Sequence, residues 1–91
     1  EEGMRLGFVN EVVEPENLIS AAKAWAKQIE ECSPMSIRAT KQVAYENLNE
    51  PDLEKSMKAH YSAVKELFGS EDFIEGPVAF AEKRLPNWKG K

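Results

Sequence analysis

One cysteine, one histidine and no apolar run near the length of a membrane span set the first limits on this chain of 91 residues. Cys32 has no partner for an internal disulfide, which suits a reducing compartment. A transmembrane helix needs about 18 consecutive apolar residues, and none occur. The start, Glu1-Glu2-Gly3-Met4-Arg5, lacks the basic opening and apolar stretch of a signal peptide. A cytoplasmic location is expected, or an organelle reached by a segment outside this chain. With 9% aromatic residues and a mean hydropathy of −0.54, the chain suits one small domain with a thin core.

Positive charge is scarce through most of the chain. Residues 1–82 hold all 16 acids and only 8 bases, whereas residues 83–91 hold Lys83, Arg84, Lys89 and Lys91 and no acid. An acidic body argues against nucleic acid as a partner, which calls for a basic stripe. The basic tail is the right size to meet one phosphorylated small molecule. Terminal lysines also simply keep a chain end solvated, and composition alone does not separate the two.

The groups from which active sites are made are equally sparse. His60 has no Cys, Asp or second His at a ligand-like spacing, so no metal site is expected. Cys32 falls at a helix C-terminus, where the dipole opposes an anion, a poor setting for a nucleophile. Glu71 and Asp72 adjoin a helix start and read as capping acids rather than an acid–base pair. No glycine-rich phosphate loop is present. No catalytic residue is assigned.

What is abundant is helical pattern. Pro15-Glu16-Asn17 opens a helix, and Leu18, Ala21, Ala22, Trp25, Ile29 and Cys32 then recur at spacings of three and four. Ser33-Pro34 supplies an N-cap and a first-turn proline for a second helix, with Ile37, Val43, Ala44 and Leu48 inward and Arg38, Lys41 and Glu46 outward. A third helix is expected from Asp52 to Phe68, with Leu53, Met57, His60 or Tyr61, Val64, Leu67 and Phe68 on one side and Gly69 as its left-handed stop. Ser70-Glu71-Asp72 caps a fourth segment. Gly76-Pro77 is expected to break it before a last turn or two through Val78, Phe80 and Lys83, and Pro86 to end regular structure.

The opening stretch is different. Phe8-Val9-Asn10-Glu11-Val12-Val13 has the composition of a strand, yet no second strand is legible to pair with it. Met4, Leu6 and Gly7 look like the last turn and stop of a helix. Both features suggest a piece of a longer protein.

The motifs also have a family resemblance. Arg5-Leu6-Gly7-Phe8-Val9-Asn10-Glu11-Val12-Val13 resembles the "LGLVNEVV" strand of the crotonase, or enoyl-CoA hydratase/isomerase, superfamily, and Ser33-Pro34 with Arg38-Ala39-Thr40-Lys41 resembles its "SP…ATK" helix. Ser70-Glu71-Asp72, Glu75-Gly76, Ala79-Phe80-Ala81-Glu82-Lys83-Arg84 and Pro86-Asn87-Trp88-Lys89-Gly90 resemble its closing "SED…EG…AF.EKR…P.WKG" signature. Gly76-Pro77 and the Trp-Lys-Gly ending resemble carnitinyl-CoA dehydratase-like bacterial members.

The resemblance implies a mainly α chain, the C-terminal helical trimerisation segment of the α/β crotonase fold with one short N-terminal strand. Residues 1–14 would end the core spiral, and residues 15–91 would form the oligomerisation domain. The whole protein would act on acyl-CoA thioesters through a stabilised enolate, with coenzyme A as substrate carrier, no covalently bound cofactor, and trimeric or hexameric assembly. The family's catalytic glutamates and oxyanion-hole donors would lie upstream, leaving this chain inert alone. Phe80 and Lys83 match the family positions that reach the adenine and phosphate end of coenzyme A, with ordinary helix packing as the lesser reading for Phe80. Val64 stands where an aromatic residue is frequent near the acyl pocket. Arg84, Trp88 and Lys89 read as structural or tail-docking. Two other readings stay open, a stand-alone helical acyl-CoA carrier and a helical interaction module associating through Trp25, Met57 and Leu67.

Overall fold

The computed structural model describes residues 1–91 as six α-helices and one 3-10 turn, with no strand. The helices are α1 (Glu2–Arg5), α2 (Leu18–Glu30, entered through the 3-10 turn Pro15–Asn17), α3 (Pro34–Asn47), α4 (Leu53–Lys58), α5 (Ser62–Phe68) and α6 (Glu71–Ala81). The mainly α class is as expected. The strand is not: residues 9–14 run without regular structure, because a strand needs a neighbour for its backbone N–H and C=O groups and no segment of this chain supplies one.

Local chemistry sets the helix ends. Ser33 accepts from the amides of Met35 and Ser36, Asp52 from Lys55, and Ser70 from Phe73. Gly7, at φ +83°, ends α1 by the two reverse hydrogen bonds of a left-handed stop, Gly7 N–H to Met4 O and Phe8 N–H to Gly3 O.

Three expectations are corrected. The third helix is two, because Ala59 and Tyr61 take extended backbone angles between α4 and α5. The Tyr61 hydroxyl lies 2.8 Å from Ser56 O and 2.7 Å from Asn47 Nδ2, and Asn47 Oδ1 also accepts from Ser56 Oγ. Gln42 of α3 caps α5 from outside, its Oε1 accepting the Ala63 amide at 2.8 Å. Gly69 ends α5 with φ −92°, a right-handed rather than left-handed stop. Nor does Gly76-Pro77 break the last helix, since α6 runs through Pro77. The clash that disfavours helix before a proline involves the preceding Cβ, and Gly76 has none.

Burial is scant. Met35, Ala39 and Ala79 are the buried apolar residues, and α3 packs on α5, which joins α6 through an edge-to-face Phe68–Phe73 pair with ring centres 5.0 Å apart. Ala44 and Leu48, expected inward, are exposed, as are Leu53, Met57 and Phe68. No residue of α2 is buried, and its apolar stripe of Leu18, Trp25 and Ile29 faces outward. The radius of gyration is 16.9 Å, against about 12 Å for a compact chain of this length. The molecule is an open slab of 43 × 40 × 19 Å with α6 and the C-terminal tail tied together by hydrogen bonds at one corner.

Candidate functional site

The site is built on the far end of α6. Ala79, 1% exposed, faces inward, while the next residue, Phe80, is 87% exposed and contributes little to this chain's core. The helix stops through Glu82 into Lys83, whose φ of +54° makes it the one non-glycine residue in the left-handed region. The Lys83 amide donates to Phe80 O at 3.2 Å and the Arg84 amide to Ala79 O at 3.0 Å, the same paired stop that Gly7 makes on α1. A side chain in this conformation costs about 1–2 kcal/mol relative to ordinary backbone, so something must hold it.

Arg84 provides the anchor. Its guanidinium grips Glu75 with two parallel hydrogen bonds, Nη1 to Oε1 at 2.6 Å and Nη2 to Oε2 at 3.0 Å, and its Nε reaches Glu82 Oε2 at 2.6 Å. The Asn87 amide adds a bond to Glu75 Oε1 at 2.6 Å. Hydrogen bonding to Arg84, then to the Asn87 amide, holds the Glu75 carboxyl down at about 2, and Arg84 is raised in turn. Glu75 and Glu82 are both taken up by Arg84, and Lys83 forms no ion pair.

Beyond Arg84 the tail folds back along the start of α6. Asp72, 2% exposed, accepts from Ser33 Oγ at 2.7 Å, from the Lys89 amide at 2.7 Å and from the Gly90 amide at 3.1 Å. Burial pushes its carboxyl up, but those hydrogen bonds and the nearby Arg38 outweigh burial and leave it below the usual carboxylate range. The Trp88 indole donates to Glu31 O at 2.9 Å, Arg38 Nη2 to Gly90 O at 3.0 Å and the Glu71 amide to Lys91 O at 2.7 Å.

Phe80 and Lys83 are thus joined through one backbone hydrogen bond, three residues apart and both exposed. An open aromatic face can stack on a heterocycle, and an unpaired ammonium can meet a phosphate. Arg84 and Trp88 are structural ties, and Lys89 takes part through its backbone amide. Sequence reading missed Asp72 and Glu75 as anchors. The signal that could have found them is the spacing of Glu75 and Arg84 on either side of a helix stop. His60 and Cys32 are exposed and unclustered, and no group of three or more His, Cys, Asp or Glu side chains is positioned to hold a metal ion. No helix is long and apolar enough to cross a membrane.

Comparison with known proteins shows what the chain is similar to. The family model described as enoyl-CoA hydratase/isomerase matches residues 1–91. Carnitinyl-CoA dehydratase of Escherichia coli O157:H7 is 41% identical over 98 residues, covering 100% of this chain and 36% of that protein. Carnitinyl-CoA dehydratase of Salmonella arizonae is 38% identical over 97 residues, covering 99% and 36%. Among solved structures, an enoyl-CoA hydratase/isomerase from Mycobacterium paratuberculosis superposes with a TM-score of 0.89 at 31% identity, covering 99% of this chain and 35% of that one. An enoyl-CoA hydratase from Mycobacterium tuberculosis H37Rv gives 0.85 at 32% identity, covering 98% and 35%. The chain therefore spans about a third of the length of the relatives it matches.

Proposed function

The chain belongs to the enoyl-CoA hydratase/isomerase family, and from that membership we propose that it is the C-terminal helical part of an enzyme acting on acyl-CoA thioesters. The observation that carries the reading is the family match over residues 1–91, supported by relatives that are carnitinyl-CoA dehydratases. That name favours addition or removal of water at the acyl double bond over a double-bond shift. The catalytic groups belong to the remainder of the enzyme, and this segment serves assembly and closure of the coenzyme A site.

Within the segment, Phe80 stacks on the adenine and Lys83 meets the phosphate of coenzyme A. Support comes from their joint presentation on one helix stop, Phe80 being 87% exposed and Lys83 free of any carboxylate partner. Residues 1–14 end the core spiral and residues 15–91 form the oligomerisation unit, a trimer or hexamer in the whole enzyme. The outward stripe of Leu18, Trp25 and Ile29 on α2 supports this, because an apolar face of that kind is stable only when covered. An exposed, unpaired Cys32 suits the reducing cytoplasm.

The test is an NMR titration of the chain with coenzyme A. Saturable shifts confined to Phe80, Lys83 and Trp88 are expected. Tight binding with shifts through all helices would instead identify a stand-alone carrier, and no response at residues 80–88 would remove the assignment of Phe80 and Lys83. Sedimentation tests assembly, where a strictly monomeric chain over a wide concentration range would count against the oligomerisation role.

A further inference from the structure

The left-handed backbone of Lys83 poses a physical question that its proposed ligand does not answer. Helix stops of this kind are normally glycine, and the chain uses glycine where nothing but geometry is at stake, at Gly7. At residue 83 the same turn carries a long cationic side chain at an energetic disadvantage. A strained residue persists when its surroundings over-determine it. Here the surroundings are Arg84 and Glu75. Because Arg84 follows Lys83 directly, its two-pronged grip on Glu75, nine positions back in α6, favours a chain reversal at residue 83. Asn87 closes the same loop from the far side through Glu75 Oε1.

The pair also settles local charge. Glu75 and Glu82 are the acids nearest in sequence to Lys83, and each could neutralise its ammonium. Both are engaged by the Arg84 guanidinium instead, at 2.6 Å each, which leaves the Lys83 charge available to an outside anion.

We propose that Glu75 is a positioning residue: through its bidentate pair with Arg84 it holds Lys83 in the left-handed turn beside Phe80 and keeps the ammonium free for the phosphate of an adenine nucleotide. The proposal rests on the reading of Phe80 and Lys83 as coenzyme A contacts and adds the part that aims them. Neither Glu75 nor Arg84 touches the ligand.

The experiment compares coenzyme A with dephospho-coenzyme A, which lacks the ribose 3′-phosphate, as ligands of the chain. The phosphate is expected to strengthen binding about two- to fivefold, the size of one exposed ion pair. Lys83→Met removes the ammonium and abolishes that preference. Glu75→Gln leaves the ammonium in place, yet one amide oxygen cannot serve Asn87 and both guanidinium prongs, so the preference is expected to vanish here as well. In the same variant the strong intraresidue HN–Hα cross-peak that marks a left-handed Lys83 weakens, while the amide signals of α3 and α5 stay where they were. Arg84→Gln removes the pair from its other side and serves if Glu75→Gln unfolds. A lost preference in Lys83→Met with a retained one in both Glu75→Gln and Arg84→Gln overturns the positioning role and leaves the coenzyme A reading intact. An unchanged preference in Lys83→Met, or no binding of coenzyme A to the unaltered chain, overturns that reading and the inference with it.

Discussion

The hydroxyl of Ser33 donates to Asp72 Oδ2 at 2.7 Å, joining the first residue before α3 to the first turn of α6 across 39 positions of sequence. The same oxygen accepts the amides of Met35 and Ser36, so one serine caps its own helix and holds a carboxylate of another. That carboxylate in turn receives Lys89 and Gly90 of the tail. Three segments far apart in the chain meet on two side chains, both buried.

Replacing Asp72 by Ala therefore strips the tail of its anchor and orphans two amides. A loss of about 1–3 kcal/mol is expected, the cost of leaving buried polar groups unpaired. Urea unfolding should show a lower midpoint, and hydrogen exchange should show Lys89 and Gly90 losing protection before the amides of α3. Unchanged protection at both positions would mean that the tail is held by its other ties, Trp88 to Glu31, Arg38 to Gly90 and Glu71 to Lys91.

Acid should loosen the tail. Asp72 and Glu75 both have folded values below their unfolded ones, which lie near about 3.9 for Asp and 4.3 for Glu. A depressed carboxyl stabilises the fold above its unfolded value, and the contribution is lost as pH falls through its folded one. The loss thus begins near pH 4 and for Glu75 is complete only below its value of about 2. The indole N–H signal of Trp88, bonded to Glu31 O, reports it; a signal that stays constant from pH 5 to pH 2 would contradict the assignment.

Gln42→Ala removes the cap that α3 lends to α5. The residue preceding α5, Tyr61, makes no side-chain cap of its own, so the Ala63 amide loses its partner. A cost of about 0.5–2 kcal/mol is expected, the range for lost N-caps, together with faster exchange at Ala63. Gln42→Glu, which keeps an acceptor, should retain most of the stability.

Lys83→Gly separates stability from binding. Glycine adopts the left-handed turn without the Cβ clash, so the variant should gain about 1 kcal/mol, equivalent to a rise of roughly 4–8 °C in Tm for a domain of this size. Its response to coenzyme A should weaken at the same time. A fall in Tm would show that the lysine stem packs usefully in the turn.

Features within reach of four residues were readable in advance. Ser33-Pro34, Ser70 and Gly7 set helix ends because a cap is a bond between a side chain or a reversed backbone and amides close by. The proposed pair Phe80 and Lys83 rests on motif resemblance, and the helix stop that joins them, Lys83 N–H to Phe80 O, is local as well. For the split third helix and the unformed strand, distance in sequence was the reason that expectation failed. The break between α4 and α5 depends on Asn47 meeting Tyr61 and on Gln42 reaching Ala63, contacts of 14 and 21 residues. Phe8 to Val13 has strand composition, but pairing is a property of two segments, and this chain holds one.

By itself, the sequence determined the helical class, most helix boundaries, the family and the residues that carry its closing motif, because these follow from periodicity, capping and residue identity. Only the tertiary structure decided that Asp72 is an anchor rather than a plain capping acid, that Glu75 pairs with Arg84 next to a lysine in a glycine's conformation, and that the apolar stripe of α2 stands uncovered. The physical reason is common to all three. A side chain looks the same in sequence whether it faces water or a partner, and which of these it meets is set by how distant segments are brought together.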